Sequence, residues 1–453
     1  MRILLGNTID DSIRVSRDTR SAAQRILWFA KPHDVVILPE AADEEFLQYV
    51  TSLTGVEAGS LRLRVPPPGR FAGRVLDPHS LTDAAFARDV AGDLAGVSEI
   101  FALWPSPYVA RFSENLGLQD RLPGAAFMAQ GGGELANSKA CFRALAAGAG
   151  VLVPAGAVCH NATEAERAMA HLLRQSAGVV VKQSHNGSGN GNQIVLSRGE
   201  HDLGHAGARH LHPLAPGDVG IREYWAERWQ WASAAGRFPV VLEEFVPGSI
   251  SVYSEHRITN DGVTATGSGL LSYADRQLAV QSVPLRPREI GSDAHRALLE
   301  GGARLAEVYR AVGYRGHVSA DALVDRCGQV WFTEMNAQVS GSLHLYDAIA
   351  QHLVDASAAP QRTVAEYDIP ASWRISSVSH FLAAARQADI LYDPATRLGV
   401  ILSAPPTRSG EDTDGMFCIV YDSERNRDAM YRTLHRCFRS VTNGPSYEEG
   451  EAG

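Results

Sequence analysis

Two short β-like runs late in the chain constrain it most. His317-Val318-Ser319-Ala320-Asp321-Ala322-Leu323-Val324 and Val330-Trp331-Phe332-Thr333-Glu334-Met335-Asn336 flank the turn-forming Asp325-Arg326-Cys327-Gly328. Side chains alternate faces along a strand, so a hairpin here puts Glu334 and Asn336 on one face and lets Asp321 join them from the neighbouring strand. Three oxygen-bearing side chains on one surface suit a hard divalent cation, and magnesium held by few protein oxygens completes its shell with nucleotide phosphates. The pattern predicts a Mg-ATP site with Asp321, Glu334 and Asn336 as ligands. It also describes an ordinary hairpin whose acids face water.

A second element lies upstream. Val179-Val180-Val181 runs into Lys182 and then Gln183-Ser184-His185-Asn186-Gly187-Ser188-Gly189-Asn190-Gly191-Asn192, before the chain resumes as Gln193-Ile194-Val195-Leu196. This predicts a hairpin whose tip has free backbone N–H groups and little bulk, a shape that can close over phosphates. Lys182 would place a fixed positive charge beside them. A flexible turn has the same composition. No Gly-Lys-Ser/Thr follows, so this is not a Walker loop. Between the two elements, the strand-like Pro239-Val240-Val241-Leu242-Glu243-Glu244-Phe245-Val246-Pro247-Gly248 precedes Ile250-Ser251-Val252-Tyr253-Ser254. An extended Glu243-Glu244-Phe245-Val246 hinge offers an adenine ring a peptide acceptor, a peptide donor and apolar walls, and a buried strand ending at a Pro-Gly turn reads identically.

In the order Lys139, Lys182 with its glycine loop, Glu-Glu-Phe-Val-Pro-Gly, Asp321 and Glu-x-Asn, the chain resembles the ATP-grasp superfamily of carboxylate-amine ligases over about residues 121 to 355. The ending Thr333-Glu334-Met335-Asn336-Ala337-Gln338-Val339-Ser340-Gly341-Ser342 and the flanking regions narrow the resemblance to peptide ligases of antibiotic biosynthesis. The resemblance implies ATP and Mg2+ as cofactors, with Lys139 and Lys182 on the phosphates and Gly187, Ser188, Gly189 and Gly191 in the closing loop. It implies Glu243 near the adenine amino group, Glu244, Phe245 and Val246 as the backbone hinge, and magnesium on Asp321, Glu334 and Asn336. The implied partners are a small carboxylic acid or amino-acid acyl donor and a peptide or amino-acid amine. Two positions depart from the family pattern. Ile250 stands in the region of the usual ribose ligand, and Ser319 stands where members often carry a phosphate-binding Arg. Arg257, Arg286, Arg288 and His317 are candidates to replace that charge, and each also reads as a solvated surface residue. Lys182, Arg286, Ser340 and Ser342 are the expected catalytic set.

Composition is compatible with this reading. A chain of 453 residues exceeds one hydrophobic core, and 45% hydrophobic with 21% charged residues is ordinary for a globular protein. The formal charge of -9 without a basic run argues against nucleic-acid binding. Cys141, Cys159, Cys327, Cys418 and Cys437 form no Cys-x-x-Cys pair, so reduced thiols are expected. The opening Met1-Arg2-Ile3-Leu4-Leu5-Gly6-Asn7 turns polar too soon for a signal peptide, and no apolar run reaches membrane-spanning length, so a cytoplasmic location is expected. An oligomer is compatible with the sequence.

The expected fold is mixed α/β and α+β, in three parts and a tail. Residues 1–120 read as an N-terminal α/β pre-ATP-grasp domain, with strands at Arg2 to Gly6 and Val35 to Pro39 and helices at Asp43 to Thr51 and Ala84 to Ala95. Residues 121–355 read as the two-lobed ATP-grasp region. Within it Asn137 or Ser138 caps a helix from Lys139 to Ala147, followed by a strand Val151 to Pro154 and an amphipathic helix over 161–176. Tyr224, Trp225, Trp229 and Trp231 lie on a helix and serve either as core or as walls of a pocket. His201, His205, His210 and His212 lack a metal spacing. Ser340, Gly341 and Ser342, with His344, precede a helix near Leu343 whose free N–H groups suit a carboxylate or phosphate, or plain capping. Residues 370–443 read as a small C-terminal α+β domain with strands Leu398 to Ala404 and Met416 to Tyr421 and a helix Glu424 to Arg439, and 444–453 as a flexible tail. Rival functions are a phosphotransferase on the same nucleotide fold and a non-catalytic ATP-binding protein.

Overall fold

The computed structural model describes residues 1–7, 18–92, 94, 96–186, 190–196, 208, 210–215, 217–274, 277–356, 358–409 and 412–439. The chain begins with a parallel sheet of β1 (Arg2–Leu5), β2 (Val35–Ile37), β3 (Arg62–Arg64) and β4 (Glu99–Ala102), in the order β3-β2-β1-β4. Ile3-Leu4-Leu5 and Val35-Val36-Ile37 are fully buried, as continuous apolar runs in a parallel sheet covered on both faces should be. Asp43 caps the helix Glu44–Thr54 by accepting from the Phe46 N–H, and Asp83 does the same for Ala84–Ala91.

A five-stranded sheet follows, built from β5 (Gly156–Cys159), β6 (Gly178–Gln183), β7 (Asn192–Leu196), β8 (His210–Pro213) and β9 (Val240–Glu244) in the order β5-β9-β6-β7-β8. The helices Ala162–Leu172 and Gly217–Ala232 pack on it, and Tyr224 and Trp225 of the latter are buried in that core. The expected strand at Val151 to Pro154 is not formed: those residues are irregular, and β5 begins at Gly156. A Cβ at Gly156 would come within 2.1 Å of the Leu242 carbonyl, so close pairing with β9 fixes where β5 starts.

The third sheet has eight strands in the order β14-β13-β10-β11-β12-β15-β17-β16. Its members are β10 (Ile250–Ile258), β11 (Val263–Ala274), β12 (Gln277–Val283), β13 (Gly316–Val324), β14 (Val330–Asn336), β15 (Thr363–Asp368), β16 (Gly399–Ser409) and β17 (Asp412–Tyr421). The helix Ser292–Ala311 covers one face of β10, β11 and β13. The C-terminal α+β unit is continuous with this sheet, because β15 pairs antiparallel with β12 through Gln281↔Glu366, Ser282↔Ala365 and Val283↔Val364. It also shares one core with the N-terminal domain, where the Trp28 indole N–H donates to the Ser403 carbonyl at 2.8 Å.

Trp373 anchors that shared core. It is fully buried, stacks on Phe417 at 5.3 Å between ring centroids, and donates its N–H to His435 Nδ1 at 3.1 Å. Trp373→Ala is expected to cost about 3–5 kcal/mol of stability, as large-to-small changes in aromatic cores do. Because the sheet is continuous, urea unfolding should remain a single transition with a lowered midpoint. A separate early transition in tryptophan fluorescence would instead mean that residues 363–439 unfold on their own.

Candidate active site

The hairpin of β13 and β14 forms as the alternation predicts, with one irregularity that shapes the site. Leu323 pairs with Trp331 and Ala322 with Phe332, then the register shifts so that Asp321 stands opposite Glu334 and Ser319 opposite Asn336. Thr333 is the extra residue of a bulge, a device that re-aims the side chains after it. Glu334 and Asn336 therefore face the same side as Asp321, while Val330, Phe332 and Met335 lie buried in the core. Asn336 donates its amide to Asp321 Oδ2 at 3.1 Å, and the Ser319 hydroxyl donates to Asp321 Oδ1 at 3.2 Å. The three expected metal ligands are thus brought together.

Two buried lysines meet this group, Lys139 from a helix packed on β14 and Lys182 from the five-stranded sheet. Lys139 opens the helix Lys139–Gly148, which Ser138 caps by accepting from the Cys141 N–H. Its ammonium is 2.7 Å from Glu334 Oε2 and donates to the Asn186 carbonyl at 2.7 Å, tying the glycine loop's root to β14. Lys182, on β6, is 2.5 Å from Glu243 Oε2 and donates to the Thr333 carbonyl at 3.3 Å. Lys182 thus reaches from β6 of the five-stranded sheet to β14 of the eight-stranded one. Gly191 completes the root: a Cβ there would approach Asn186 Cβ to 2.5 Å, and its carbonyl accepts from the Gln183 N–H at 2.8 Å. Gly187, Ser188 and Gly189 lie outside the described residues.

The electrostatics divide the two carboxyls. Burial, then the Glu334 charge, raises the Asp321 carboxyl well above the usual carboxylate range. Burial acts to raise Glu334 as well, but Lys139 and Lys182 override it and hold that carboxyl below its ordinary value. One proton on Asp321 relieves the repulsion, and a divalent cation would relieve it better. The donor set of two carboxylates and an amide fits a hard ion that takes oxygen ligands. Among the described residues, no cluster of three or more His, Cys, Asp or Glu side chains forms a protein-only cage, so an ion held here would need other oxygens to complete its shell.

Several expected roles are corrected by the geometry. The Glu243 side chain, 2% exposed, is held between Lys182 and Arg143, whose Nη1 lies 2.7 Å from Glu243 Oε1, and so is committed to ion pairs rather than turned to a base. In the hinge, the Glu244 N–H donates to the Ala155 carbonyl and the Phe245 N–H to the Gly178 carbonyl, which uses both donors within the lobe. The Val246 carbonyl accepts from the Ser249 hydroxyl at 2.9 Å. Arg286 does not serve the phosphates: its guanidinium bonds the Thr363 hydroxyl and the Pro360 and Arg362 carbonyls at 2.6 to 2.9 Å, pinning β15. Ser340 and Ser342 are buried and both donate to Glu255 Oε1. They orient that carboxylate and leave no helix-end anion pocket, and the helix itself runs His344–Leu353 with π geometry. His344, 2.6 Å from buried Glu366, belongs to the same loop's support, and Gln281 and Arg25 both donate to the Gly341 carbonyl.

The other candidates for the missing arginine lie elsewhere. His317 and Arg257 stand next to each other across β13 and β10 and line a separate cavity of about 1690 Å³ between β4 and the end of β13. Burial, with the Arg257 charge, pushes His317 down to about 4, so it is neutral at physiological pH. Arg288 is exposed.

Residues the sequence reading passed over include Arg143, Tyr253 and Glu255. Arg143 was detectable, since it falls one helical turn after Lys139 and so on the same face. Tyr253 and Glu255 needed the strand to be carried past Ser254 to Ile258, where alternation puts Tyr253, Glu255 and Arg257 on one face.

Residues 23–118 match the family model of the pre ATP-grasp domain. The chain is similar in structure to purK, an N5-carboxyaminoimidazole ribonucleotide synthetase solved as its ADP complex, with a TM-score of 0.57 at 14% identity over 96% of this chain and 95% of that one. It is similar to biotin carboxylase from Campylobacter jejuni in complex with β,γ-ATP, with a TM-score of 0.59 at 13% identity over 96% and 91%. The L-amino acid ligase from Bacillus licheniformis gives a TM-score of 0.53 at 13% identity over 96% and 97%. Comparison with curated protein sequences finds no match. The fold is accordingly an N-terminal α/β pre-ATP-grasp domain, a two-lobed ATP-grasp region and a small C-terminal α+β unit. Among the described residues, no helix is long and apolar enough to cross a membrane.

Proposed function

We propose that this protein is an ATP-dependent carboxylate-amine ligase that forms an amide bond through an acyl phosphate and releases ADP and phosphate. The observation that carries the reading is the in-register Asp321–Glu334 pair, joined through Lys139 to the root of a glycine hairpin and flanked by Lys182. A carboxylate is a poor electrophile because its charge is delocalised and its oxygens leave badly. Phosphorylation by ATP turns one oxygen into a leaving group, and an amine then displaces phosphate. Asp321, Glu334 and Asn336 would hold Mg2+, which when bound supplies charge neutralisation on the phosphates. Lys139 and Lys182 position and neutralise the same phosphates, and a glycine loop closing over them would keep water from the acyl phosphate. This chemistry is positioning and electrostatics, so it needs no Ser-His-Asp or Cys-His set.

Within that class we read the chain as resembling the peptide ligase of pheganomycin biosynthesis, joining an amino-acid-like acyl donor to a peptide amine in the cytoplasm. The domain boundaries we propose are 1–120, 121–355 and 370–443, with 444–453 a flexible tail. The direct test is ADP release with Mg-ATP across a panel of L-amino acids and aryl carboxylic acids, with hydroxylamine present to trap acyl phosphate. Acid-dependent ADP release with hydroxamate formation is expected. A stable phosphorylated product without hydroxamate would point to a phosphotransferase, and nucleotide that binds but never turns over would point to a non-catalytic role.

A further inference from the structure

On β10, near the carboxylate pair, two buried polar atoms have no hydrogen-bond partner in the protein: Glu255 Oε2 and the Tyr253 hydroxyl. Tyr253 stands opposite Asp321 and Glu255 opposite Ser319. Glu255 is fully buried, with Oε1 held by Ser340 at 2.7 Å and by Ser342, while Oε2 has no partner. Tyr253 is 2% exposed, and its hydroxyl approaches Ser342 without reaching hydrogen-bond geometry. Tyr253 lies over the bare backbone of Gly269 on the neighbouring strand, where a Cβ would come within 2.3 Å of its ring and hydroxyl.

An unmade hydrogen bond on a buried polar atom is costly, and such atoms in a native fold call for a reason. Arg257, on the same face of β10 and two residues beyond Glu255, about 7 Å along a strand, lines the cavity with His317 and Gln338. In the other direction, Asp321 is one strand spacing from Tyr253, about 5 Å.

We infer that Glu255 and Tyr253 bind the amine nitrogen of the acceptor substrate, whose remaining length lies in the cavity lined by Arg257, His317 and Gln338. The inference rests on the ligase reading above. A primary ammonium carries three N–H donors and no acceptor, which complements a carboxylate oxygen and a phenolic oxygen that both lack donors. An acyl donor's carboxylate would be repelled at this position. The two serines hold Glu255 through Oε1, which leaves its second oxygen without a protein donor. The nitrogen is thereby placed beside the end of the site where the Asp321–Glu334 pair gathers the phosphates.

Two measurements on the full chain test this. In the first, methylammonium chloride is the probe, and thermal midpoints are compared with those in equal potassium chloride and tetramethylammonium chloride. The wild type should gain stability from methylammonium above both controls, and Glu255→Gln should lose that gain. Equal gain from potassium, or a gain that persists in Glu255→Gln, overturns the inference without reference to ligase activity. Tyr253→Phe removes a hydroxyl that bonds nothing in the protein, so it should fold with an unchanged midpoint and show a reduced methylammonium gain, and an undiminished gain in it overturns the assignment should Glu255→Gln fail to fold. The second measurement compares a peptide amine with hydroxylamine, which is uncharged at neutral pH, as nucleophiles for the acyl donor found above. In both variants the kcat/KM ratio of peptide amine to hydroxylamine should fall about 10-fold or more, the factor that follows from about 1.4 kcal/mol. An unchanged ratio refutes the amine site alone, whereas absence of hydroxamate in the wild type refutes the ligase reading itself.

Discussion

Glu334→Gln is expected to reduce magnesium-dependent ADP release by at least about 10³-fold, because about 4 kcal/mol of charge stabilisation at the transferred phosphoryl group would go with the carboxylate. Its partner predicts a second, opposite effect on stability. In the metal-free protein the Asp321 carboxyl is raised, first by burial and then by Glu334 across the hairpin. The fold therefore binds a proton there more tightly than the unfolded chain does. That contribution to stability is fully present below the unfolded value of about 4 and is lost as pH rises through the raised folded value. In EDTA, the wild-type melting midpoint should fall as pH climbs from 5 toward neutrality (roughly the range in which carboxylates with raised values titrate). Asp321→Asn should flatten that slope and melt higher at neutral pH. Glu334, held low by the lysines, contributes the reverse sign in a more acidic window. Added Mg2+ should stabilise the wild type and not Asp321→Asn. If Mg2+ raised both midpoints equally, the cation would not be bound at this pair, and the proposed chemistry would lose its anchor.

How far this site was legible depends on the range of the interaction. The β13–β14 hairpin announced itself through local alternation and a turn, and Ser138 through local capping chemistry. The bulge at Thr333 did not, although it decides the outcome: strict alternation from Val330 would have paired Asp321 with Thr333, whereas the bulge brings in Glu334. Its freed carbonyl is the one that Lys182 reaches. Arg286 shows the converse failure. Charge and residue type suggested a phosphate contact, but the carbonyls that claim its guanidinium belong to residues 360 and 362, and their approach is a tertiary fact that no local pattern records. The same holds for the C-terminal unit, whose strands were recognisable one by one while their continuity with β12 was not. Glu255 combines both difficulties, since the serines that hold it come from a loop far along the chain.

Lys182→Met is expected to weaken ATP binding by about 30- to 150-fold, the consequence of losing about 2–3 kcal/mol of attraction between a buried ammonium and the phosphates. The value is set below the roughly 4 kcal/mol that two unit charges share at 4 Å in a medium of effective dielectric about 20, because Lys182 already pairs with Glu243 at 2.5 Å and must divide its charge. The fold should tolerate the change, since Arg143 still holds Glu243 from the other side at 2.7 Å. Glu243→Gln should give the mirror image. It leaves Lys182 and Arg143 buried without their counter-charge, a loss of about 3–5 kcal/mol in stability by analogy with other broken buried pairs. It also frees Lys182, so nucleotide affinity should hold or rise. Nucleotide titration by calorimetry and urea unfolding on the two variants separate these outcomes. A Glu243→Gln protein that kept its stability and lost ATP affinity would return the side chain to the adenine contact that the family resemblance implies, and would mean that the ion-paired arrangement opens when nucleotide enters.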